Sequence, residues 1–549
     1  MSRHLTWIVG DLAPGDQEVL TQLKALLSEA GWRASTEASV DAVLVWTQAT
    51  LSADGDALIK VAQDRGTPVL LIGPTPGAEP SQLLEAAGVV TDTWSPPHRS
   101  RVRPAGPAAW QARVAPLGDP LEIESPILAL AKVRENVEVL ATAQLGLTAH
   151  PVLTWNPDGR VGTLSLRPSA TRPDDVVAVG RLLHLALRQV LAIDPDETTP
   201  LVVGLLGFGA IGAEHARAAD ALSGLKLGAL CDRSPARLTE AGQLFAGVTT
   251  TGDPADLLAD DSLDVIVVST PPDSHAHWAD RVMAAGKDVI VEKPFALTVE
   301  DSDRVLATAA RTGRRAVVYQ NRRFDPDFLT IARMVRDGDL GEVFHLETFI
   351  GGYGHPCNYW HSDESVSGGA LYDWGSHVID QVLSLHPGRI AHVTCIEHKR
   401  KWHDVTNADH TSMSIRFVDG TEASFVHSDL AAALKPRWYL LGTGGAITSS
   451  WRHESVLRRN AVGTLDEDVL AVTDSPPMLS YVDTNGSETT LTQIVPEPHA
   501  FHRQFVDAVR HEWPMAVTAV QSRRVVAVME AARSSARAGG APISVDGDA

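Results

Sequence analysis

Glu292-Lys293-Pro294 directly follows the apolar run Asp288-Val-Ile-Val291. That run reads as a buried strand, and its end is the edge at which open α/β sheets bind ligands. An ammonium fixed there by the following proline would orient and polarise a substrate oxygen and stabilise alkoxide character on it. Asp373 and His377 stand four residues apart, so a helix running on from Gly369 would put both on one face. A carboxylate beside an imidazole is suited to binding a hydroxyl and taking its proton. Gly368 and Gly369 precede the pair and let the backbone approach a ligand. Lys293, Asp373 and His377 are therefore the candidate catalytic and substrate-binding residues, for proton exchange at a C–OH group.

Weaker candidates surround them. His275 closes Thr270-Pro-Pro-Asp-Ser-His275, and Asn321, Arg322 and Arg323 follow another strand-like run; these either line the cleft or support it from behind. Tyr353, His355, Tyr359, Trp360 and His361 form an aromatic and imidazole cluster suited to stacking on a sugar ring, although Trp and Tyr serve as often in cores. The remaining histidines are scattered, with no zincin helix or Cys pair, so no metal is predicted.

Oxidation at such a carbon needs a hydride acceptor, which a cofactor supplies. Leu201-Val-Val-Gly-Leu-Leu206 reads as a strand, Gly207-Phe208-Gly209-Ala210-Ile211-Gly212 as a glycine turn, and the residues from Ala213 as a helix. The next strand, Lys226 to Cys231, ends at Asp232, 20 residues beyond Gly212. In this arrangement Gly207 permits the tight turn, Gly209 lets the backbone approach a pyrophosphate, and Gly212 allows close helix packing. The helix N-terminus offers amide donors and a positive dipole end to phosphates, and Asp232 accepts hydrogen bonds from the adenosine ribose. A lone glycine motif is a weak signal; the strand before it, the helix after it and the acid at this distance make it a dinucleotide site. Asp232 repels a 2′-phosphate and favours NAD, while Arg233 offers that phosphate a partner and admits NADP. Thr270, Pro271, His275, Glu292 and Lys293 sit at the same sheet edge and complete the expected cofactor contacts.

The elements that must position these residues follow the doubly wound pattern. Short apolar runs at Asp264 to Ser269, Asp288 to Val291 and Ala316 to Tyr319 alternate with helices after His275 and from Thr298, which predicts a parallel sheet. Later, Met413 to Phe417 and Thr421 to Phe425 alternate across Val418-Asp-Gly420, a hairpin with one buried face. Arg523 to Ala538 reads as a packing helix with Val526 and Met529 on its apolar face. Upstream, His4 to Gly10, Asp41 to Trp46 and Pro68 to Ile72 read as strands. Leu20, Leu23, Leu27 and Ala30 mark a helix, and Val137 to Thr142 and Val161 to Leu166 are further strand candidates. Leu183, Leu187 and Val190 mark one face of a closing helix. The proline-bounded stretch Asp194-Pro-Asp-Glu-Thr-Thr-Pro200 predicts a linker. The expected order is an α/β domain over 1–193, a linker over 194–200, a Rossmann domain over 201–320 and an α+β domain with an open, mostly antiparallel sheet over 321–549.

Residues 201–545 closely resemble the Gfo/Idh/MocA oxidoreductases. The likeness rests on Gly207-Phe-Gly-Ala-Ile-Gly212 with His215, Ser269-Thr-Pro-Pro-Asp-Ser-His275, Glu292-Lys-Pro294, Asn321-Arg-Arg-Phe324 and Gly368-Gly-Ala-Leu-Tyr-Asp373-Trp-Gly-Ser-His377-Val-Ile-Asp380. It implies a Rossmann domain followed by a domain whose open sheet covers the substrate site and mediates oligomerisation. It also implies that the Lys, Asp and His at 293, 373 and 377 act on a substrate alcohol, with His377 transferring the proton. The region 125–192 resembles the trehalose-utilisation (ThuA-like) family, whose fold is that of class I glutamine amidotransferases. That family's Gly-His is replaced by Arg167-Pro-Ser, and residues 1–230 contain no cysteine, so no amidotransferase thiolate exists there. A structural, oligomerising or sugar-binding role is expected for this region.

Composition narrows the partners. The 549 residues carry 47 basic and 68 acidic side chains, a formal net charge of −21, which argues against nucleic acid and anionic membranes. The longest apolar-plus-glycine run, Leu201 to Ala213, has 13 residues, too short for a bilayer. Three cysteines make no disulfide framework and the first residues do not read as a leader, so a reducing cytoplasm is expected. The expected protein is an oligomeric NAD- or NADP-dependent oxidoreductase acting on a secondary alcohol of a sugar, inositol or polyol. The rival readings are a glycoside-cleaving enzyme that oxidises its sugar transiently, and a sensor that keeps the nucleotide fold without turnover.

Overall fold

The computed structural model describes residues 200–450 except 223 and 358, and 478–545 except 495–497 and 512–514. Before residue 200 it describes the elements named below with some neighbouring residues. The chain forms two compact units, Met1–Thr198 with Phe505–Pro514, and Thr199–Gln504 with Met515–Ala549.

The first unit is built on β1 (Arg3–Val9), β2 (Trp32–Ala34), β3 (Ala42–Trp46), β4 (Val69–Ile72), β5 (Val89–Trp94), β6 (His98–Pro104), β7 (Leu121–Ser125), β8 (Leu128–Val133), β9 (Glu138–Leu145), β10 (Thr148–Asn156) and β11 (Val161–Leu164). Nine of these form one sheet in the order β2-β1-β3-β4-β11-β10-β9-β6-β7, and β5 pairs with β8. The strands from β2 to β11 run parallel and the rest of the sheet antiparallel. The period of two explains the burial: Ala42 and Leu44 join the core that holds Leu20, Leu23 and Leu27 of helix Pro14–Glu29, while Val43 and Val45 join a second core on the other face. Leu183 and Leu187 belong to the first core. Gly31, the prolines at 96 and 97, residues 105–120, Arg167 to Ser169, Val190 and the linker residues 194–199 lie outside the described residues.

The second unit opens with β12 (Leu201–Leu206), β13 (Leu225–Cys231), β14 (Thr249–Thr251), β15 (Val265–Val268), β16 (Asp288–Val291) and β17 (Ala316–Val318). Their order is β14-β13-β12-β15-β16-β17, all parallel, the arrangement of a dinucleotide-binding sheet. The order reverses between β12 and β15, so the crevice for a ligand opens between the loops that follow them. Val265–Val268 and Asp288–Val291 are buried along their whole length, as expected for strands covered on both faces. Thr298 caps helix Val299–Thr312 by accepting from Asp301 N.

Next comes β18 (Val343–Gly351), β19 (Ile390–His398), β20 (His410–Phe417), β21 (Glu422–Ser428), β22 (Trp438–Gly442), β23 (Gly445–Ser449), β24 (Leu479–Asp483) and β25 (Glu488–Thr490). They form an eight-stranded sheet, β19-β20-β21-β18-β22-β23-β24-β25, antiparallel except where β18 meets β21. The expected hairpin is β20–β21, with Met413 opposite Phe425 and Gly420 at φ +98° in its turn. Helix Ala370–Leu385 lies against this sheet's core, sharing Leu371, Val378, Ile379 and Val382 with Phe425, Met413 and Ile415. Helix Ala519–Arg537 begins at a capping box of Thr518 and Gln521 and buries Val526 and Met529 completely.

Candidate active site

A cleft of about 700 Å³ runs from the glycine turn to helix Ala370–Leu385. Gly207, Gly209, Ala210 and Ile211 line one end. Gly207 has φ +99°, and a Cβ there would stand 2.6 Å from Ser269 O. A Cβ on Gly212 would meet Gly207 O at 2.2 Å, so the helix seats directly on its own turn. A Cβ on Gly209 would meet only Arg237 Nη1, at 4.0 Å; this glycine keeps space open at the head of helix Ala210–Ala221, whose first turn has no side-chain cap. An open, uncapped helix N-terminus behind a bare glycine fits a dinucleotide pyrophosphate. Gly209→Val should therefore weaken NAD binding at least tenfold while moving the melting temperature little. Gly212→Ala should destabilise the fold by about 1–3 kcal/mol through overpacking, as read by thermal melts beside NAD titrations.

The expected cofactor residues fall on both sides of the turn. Asp232, at the end of β13, lines the cleft with Arg233 and Arg237; its carboxylate accepts from Phe208 N and Ser234 N, both at 2.8 Å. The Phe208 side chain does not face the cleft: it is fully buried, edge-on to Phe245. Thr270 and Pro271 line the cleft, and His275 lies with its ring nitrogens 2.7 Å from Pro294 O and 2.8 Å from Thr270 O. It thereby ties the loop after β15 to the Lys293-Pro294 turn, and burial pushes its pKa down.

Lys293 Nζ donates to Asp373 Oδ1 at 2.6 Å and to Asp373 O at 3.3 Å. Glu292, the other conceivable partner of Lys293, instead turns inward to His215 at 2.7 Å. Helix Ala370–Leu385 carries Asp373 and His377 on one face, but the carboxylate is bonded to the lysine rather than to the imidazole. Burial works against the charge on Asp373, yet Lys293 and then His361 hold its carboxyl well below the usual range. Burial, followed by the Lys293 and Arg322 cations, pushes His377 well below the usual imidazole range. His377 is thus a neutral base at neutral pH beside a fixed ammonium.

Asn321, Arg322, Tyr359, Trp360 and His361 line the same cleft. Arg322 lies 5.4 Å from the Trp374 ring centroid, and Trp360 stacks on His361 at 3.9 Å. Three weaker candidates stand elsewhere. Arg323 is buried in a two-point pair with Asp380 (2.6 and 2.7 Å), since a buried guanidinium needs a carboxylate. Tyr353 and His355 belong to a group with Lys401, Trp402 and Asp404. Asn407, His427, Asp429, Trp374 and Arg237 are cleft residues the sequence reading missed. A signal existed for His427: it shares the inner parity of β21 with Ala423 and Phe425, a polar residue on an apolar face. Among the described residues no group of three or more His, Cys, Asp or Glu could hold a metal ion, and no helix is long and apolar enough to cross a membrane.

A parallel sheet with this strand order, an open glycine turn and an ammonium, carboxylate and imidazole lining the same cleft is an arrangement suited to nucleotide-dependent redox chemistry. Residues 201–320 match the oxidoreductase family with an NAD-binding Rossmann fold, and residues 328–448 match the GFO/IDH/MocA C-terminal domain. The chain is 31% identical over 279 residues to the uncharacterized oxidoreductase YhhX of Escherichia coli, covering 50% of this chain and 77% of that one. It is 25% identical over 343 residues to the scyllo-inositol 2-dehydrogenase (NADP(+)) IolW of Bacillus subtilis, covering 61% and 93%. The NAD-binding protein from Listeria innocua superposes with a TM-score of 0.53 at 25% identity, covering 63% of this chain and 98% of that chain. The chain belongs to the GFO/IDH/MocA family and is an NAD(P)-dependent oxidoreductase.

Proposed function

We propose that the enzyme oxidises, or in reverse forms, a secondary alcohol of a sugar, inositol or related polyol, with Lys293, Asp373 and His377 acting on the hydroxyl. The observation that carries this reading is the Lys293–Asp373 pair beside a buried, neutral His377 in the cleft that the glycine turn also lines. NAD(P), which the turn from Gly207 to Gly212 and Asp232 would hold, would supply the hydride acceptor for the carbinol carbon, or the donor in the reverse direction. Lys293 polarises the hydroxyl oxygen and stabilises the charge that grows on it. His377 receives the hydroxyl proton, and the same imidazole returns it in the reductive direction. Asp373 keeps the ammonium aimed and accepts from a neighbouring hydroxyl. Tyr359 and Trp360 offer ring faces to the apolar side of a sugar, and Asn321 and Arg322 offer donors to its outer hydroxyls. The inositol dehydrogenase among the relatives supports a cyclic polyol within this class.

The test is reduction of NAD and of NADP across a panel of sugars, inositols and glycosides, with full-length protein. Turnover on polyols supports the reading; release of an aglycone without net reduction of NAD favours the glycoside-cleaving alternative. Intact Lys293, Asp373 and His377 weigh against a sensor without turnover. Because His377 must be neutral to accept a proton, kcat/KM for oxidation should be level through neutral pH. It should fall on the acid side with a midpoint below 6.5, the ordinary imidazole value from which His377 is lowered.

The same reading takes residues 1–193 as a ThuA-like domain, 194–200 as a linker, and 201–320 and 321–549 as the cofactor and substrate domains. The parallel run β2-β1-β3-β4-β11 supports an amidotransferase-like ancestry for the first of these. Its role is structural, oligomerising or sugar-binding, and the open eight-stranded sheet serves homo-oligomerisation in the cytoplasm.

A further inference from the structure

A buried chain of polar side chains reaches the cleft from behind, and no step above uses it. Glu292 Oε2 accepts from the backbone N–H of Lys293 at 3.1 Å, and Glu292 Oε1 lies 2.7 Å from His215 Nε2. His215 Nδ1 lies 2.8 Å from Nε2 of His502, a residue 287 positions away in helix Ala500–His511. Both imidazoles are buried, at 1% and 2% exposure. The surrounding groups are Tyr319, whose ring centroid is 4.3 Å from that of His215, His499 at 6.1 Å from His502, and Glu214, 4.0 Å from His499.

With both rings neutral and Glu292 a carboxylate, one assignment of protons satisfies both contacts. His215 donates from Nε2 to the Glu292 carboxylate, which leaves its Nδ1 a lone pair. His502 must then donate from Nε2, which leaves its own Nδ1 without a proton. That Nδ1 is buried with no hydrogen-bond partner, as the assignment requires of an atom with nothing to donate. Burial also holds His502 well below the ordinary imidazole range, consistent with a neutral ring. With its proton on Nδ1 instead, His215 would turn a lone pair toward the Glu292 carboxylate and repel it.

We propose that His502 is a positioning residue for Lys293: by fixing the tautomer of His215 it keeps the Glu292 carboxylate turned to the Lys293 N–H, so the peptide carrying the ammonium holds one orientation. The proposal deepens the catalytic reading of Lys293 and rests on it. Around metal ligands, partners behind the contact residues set orientation in this way and losing one costs about 10- to 100-fold in affinity or activity, the scale expected here.

The full-length chain with His502→Leu or His502→Gln distinguishes the donor from the bulk of the ring. Leucine removes the donor, whereas the glutamine amide can supply an N–H to His215 Nδ1. With NAD and scyllo-inositol, or the panel alcohol turned over fastest, H502L should lose about 10- to 100-fold in kcat. Its NAD affinity should stay near that of the wild type, and H502Q should recover most of the rate. A wild-type kcat in H502L, an equal loss in both variants, or a loss of NAD affinity that accounts for the fall overturns the proposal. Nitrogen-15 NMR of the wild-type histidines supplies a readout that needs no variant to fold. His215 and His502 both protonated at Nε2 supports the proposal, and His215 protonated at Nδ1 overturns it. That measurement involves neither substrate nor His377, so a mistaken substrate class or proton acceptor leaves its result unchanged.

Discussion

Replacing His377 by alanine lowers kcat for alcohol oxidation by about 10²- to 10⁴-fold, the range for loss of a positioned general base, and leaves NAD affinity close to that of the wild type. The separation of the two effects follows from the geometry. His377 sits one helical turn past Asp373 on helix Ala370–Leu385, whereas the proposed nucleotide cradle lies at the loops after β12 and β13. Removing the imidazole takes away the base proposed to receive the hydroxyl proton, without touching the glycine turn. The activity lost should return in part with added imidazole or a small amine base, because alanine leaves a space at a buried ring. Single-turnover reduction of NAD, monitored by nicotinamide absorbance and paired with NAD titration, measures both quantities. An H377A enzyme that binds NAD and turns over at the wild-type rate would remove His377 from the chemistry.

Replacing Lys293 by methionine should cost about 10²- to 10³-fold in kcat, the magnitude of losing one preorganised charge at a developing oxyanion. It should also move a second group. Lys293 is the chief favourable influence on the Asp373 carboxylate, and burial opposes that charge. Without the ammonium, the Asp373 pKa rises from its depressed position, since desolvation then acts with less opposition. His377 loses its principal cationic neighbour, so its pKa rises and the acid limb of the pH profile shifts toward neutrality. K293M and K293R together make the assignment specific: arginine keeps the charge but changes its shape and reach, so it should restore the acid limb more than the rate. A K293M profile whose acid limb coincides with that of the wild type would show that the ammonium does not bear on His377.

The strand, glycine turn and helix of the proposed nucleotide site were legible in the sequence because they are built locally. A strand, a glycine turn and a helix are consecutive in the chain, and each glycine answers to a clash or a gap within a few residues of the turn or at the adjacent strand end. The strands were legible because a sheet covered on both faces demands continuous apolar runs, and the β20–β21 hairpin because one buried face imposes alternation across a glycine. Asp373 and His377 were placed on one face by helical spacing alone. Their partnership was not: spacing suggested a carboxylate beside an imidazole, and the fold gave the carboxylate to Lys293, 80 residues upstream. The grouping of Tyr353 and His355 with Tyr359 to His361 failed for a related reason. Neighbours in a loop need not share a surface, and the chain carries the first two toward Lys401 and Asp404.

By itself the sequence determined the residue types that chemistry requires, the periods that decide strand or helix, and the order of elements that makes a parallel sheet. Tertiary structure alone decided which of those residues meet. It joined Lys293 to Asp373, closed Arg323 onto Asp380, brought His427 and Asn407 to the cleft, and set His502 behind His215. The reason is physical: periodicity records which face of an element is apolar, a property of neighbours along the chain. The pairing of a buried charge depends on which distant element supplies a counter-charge within hydrogen-bond reach, and only packing fixes that distance.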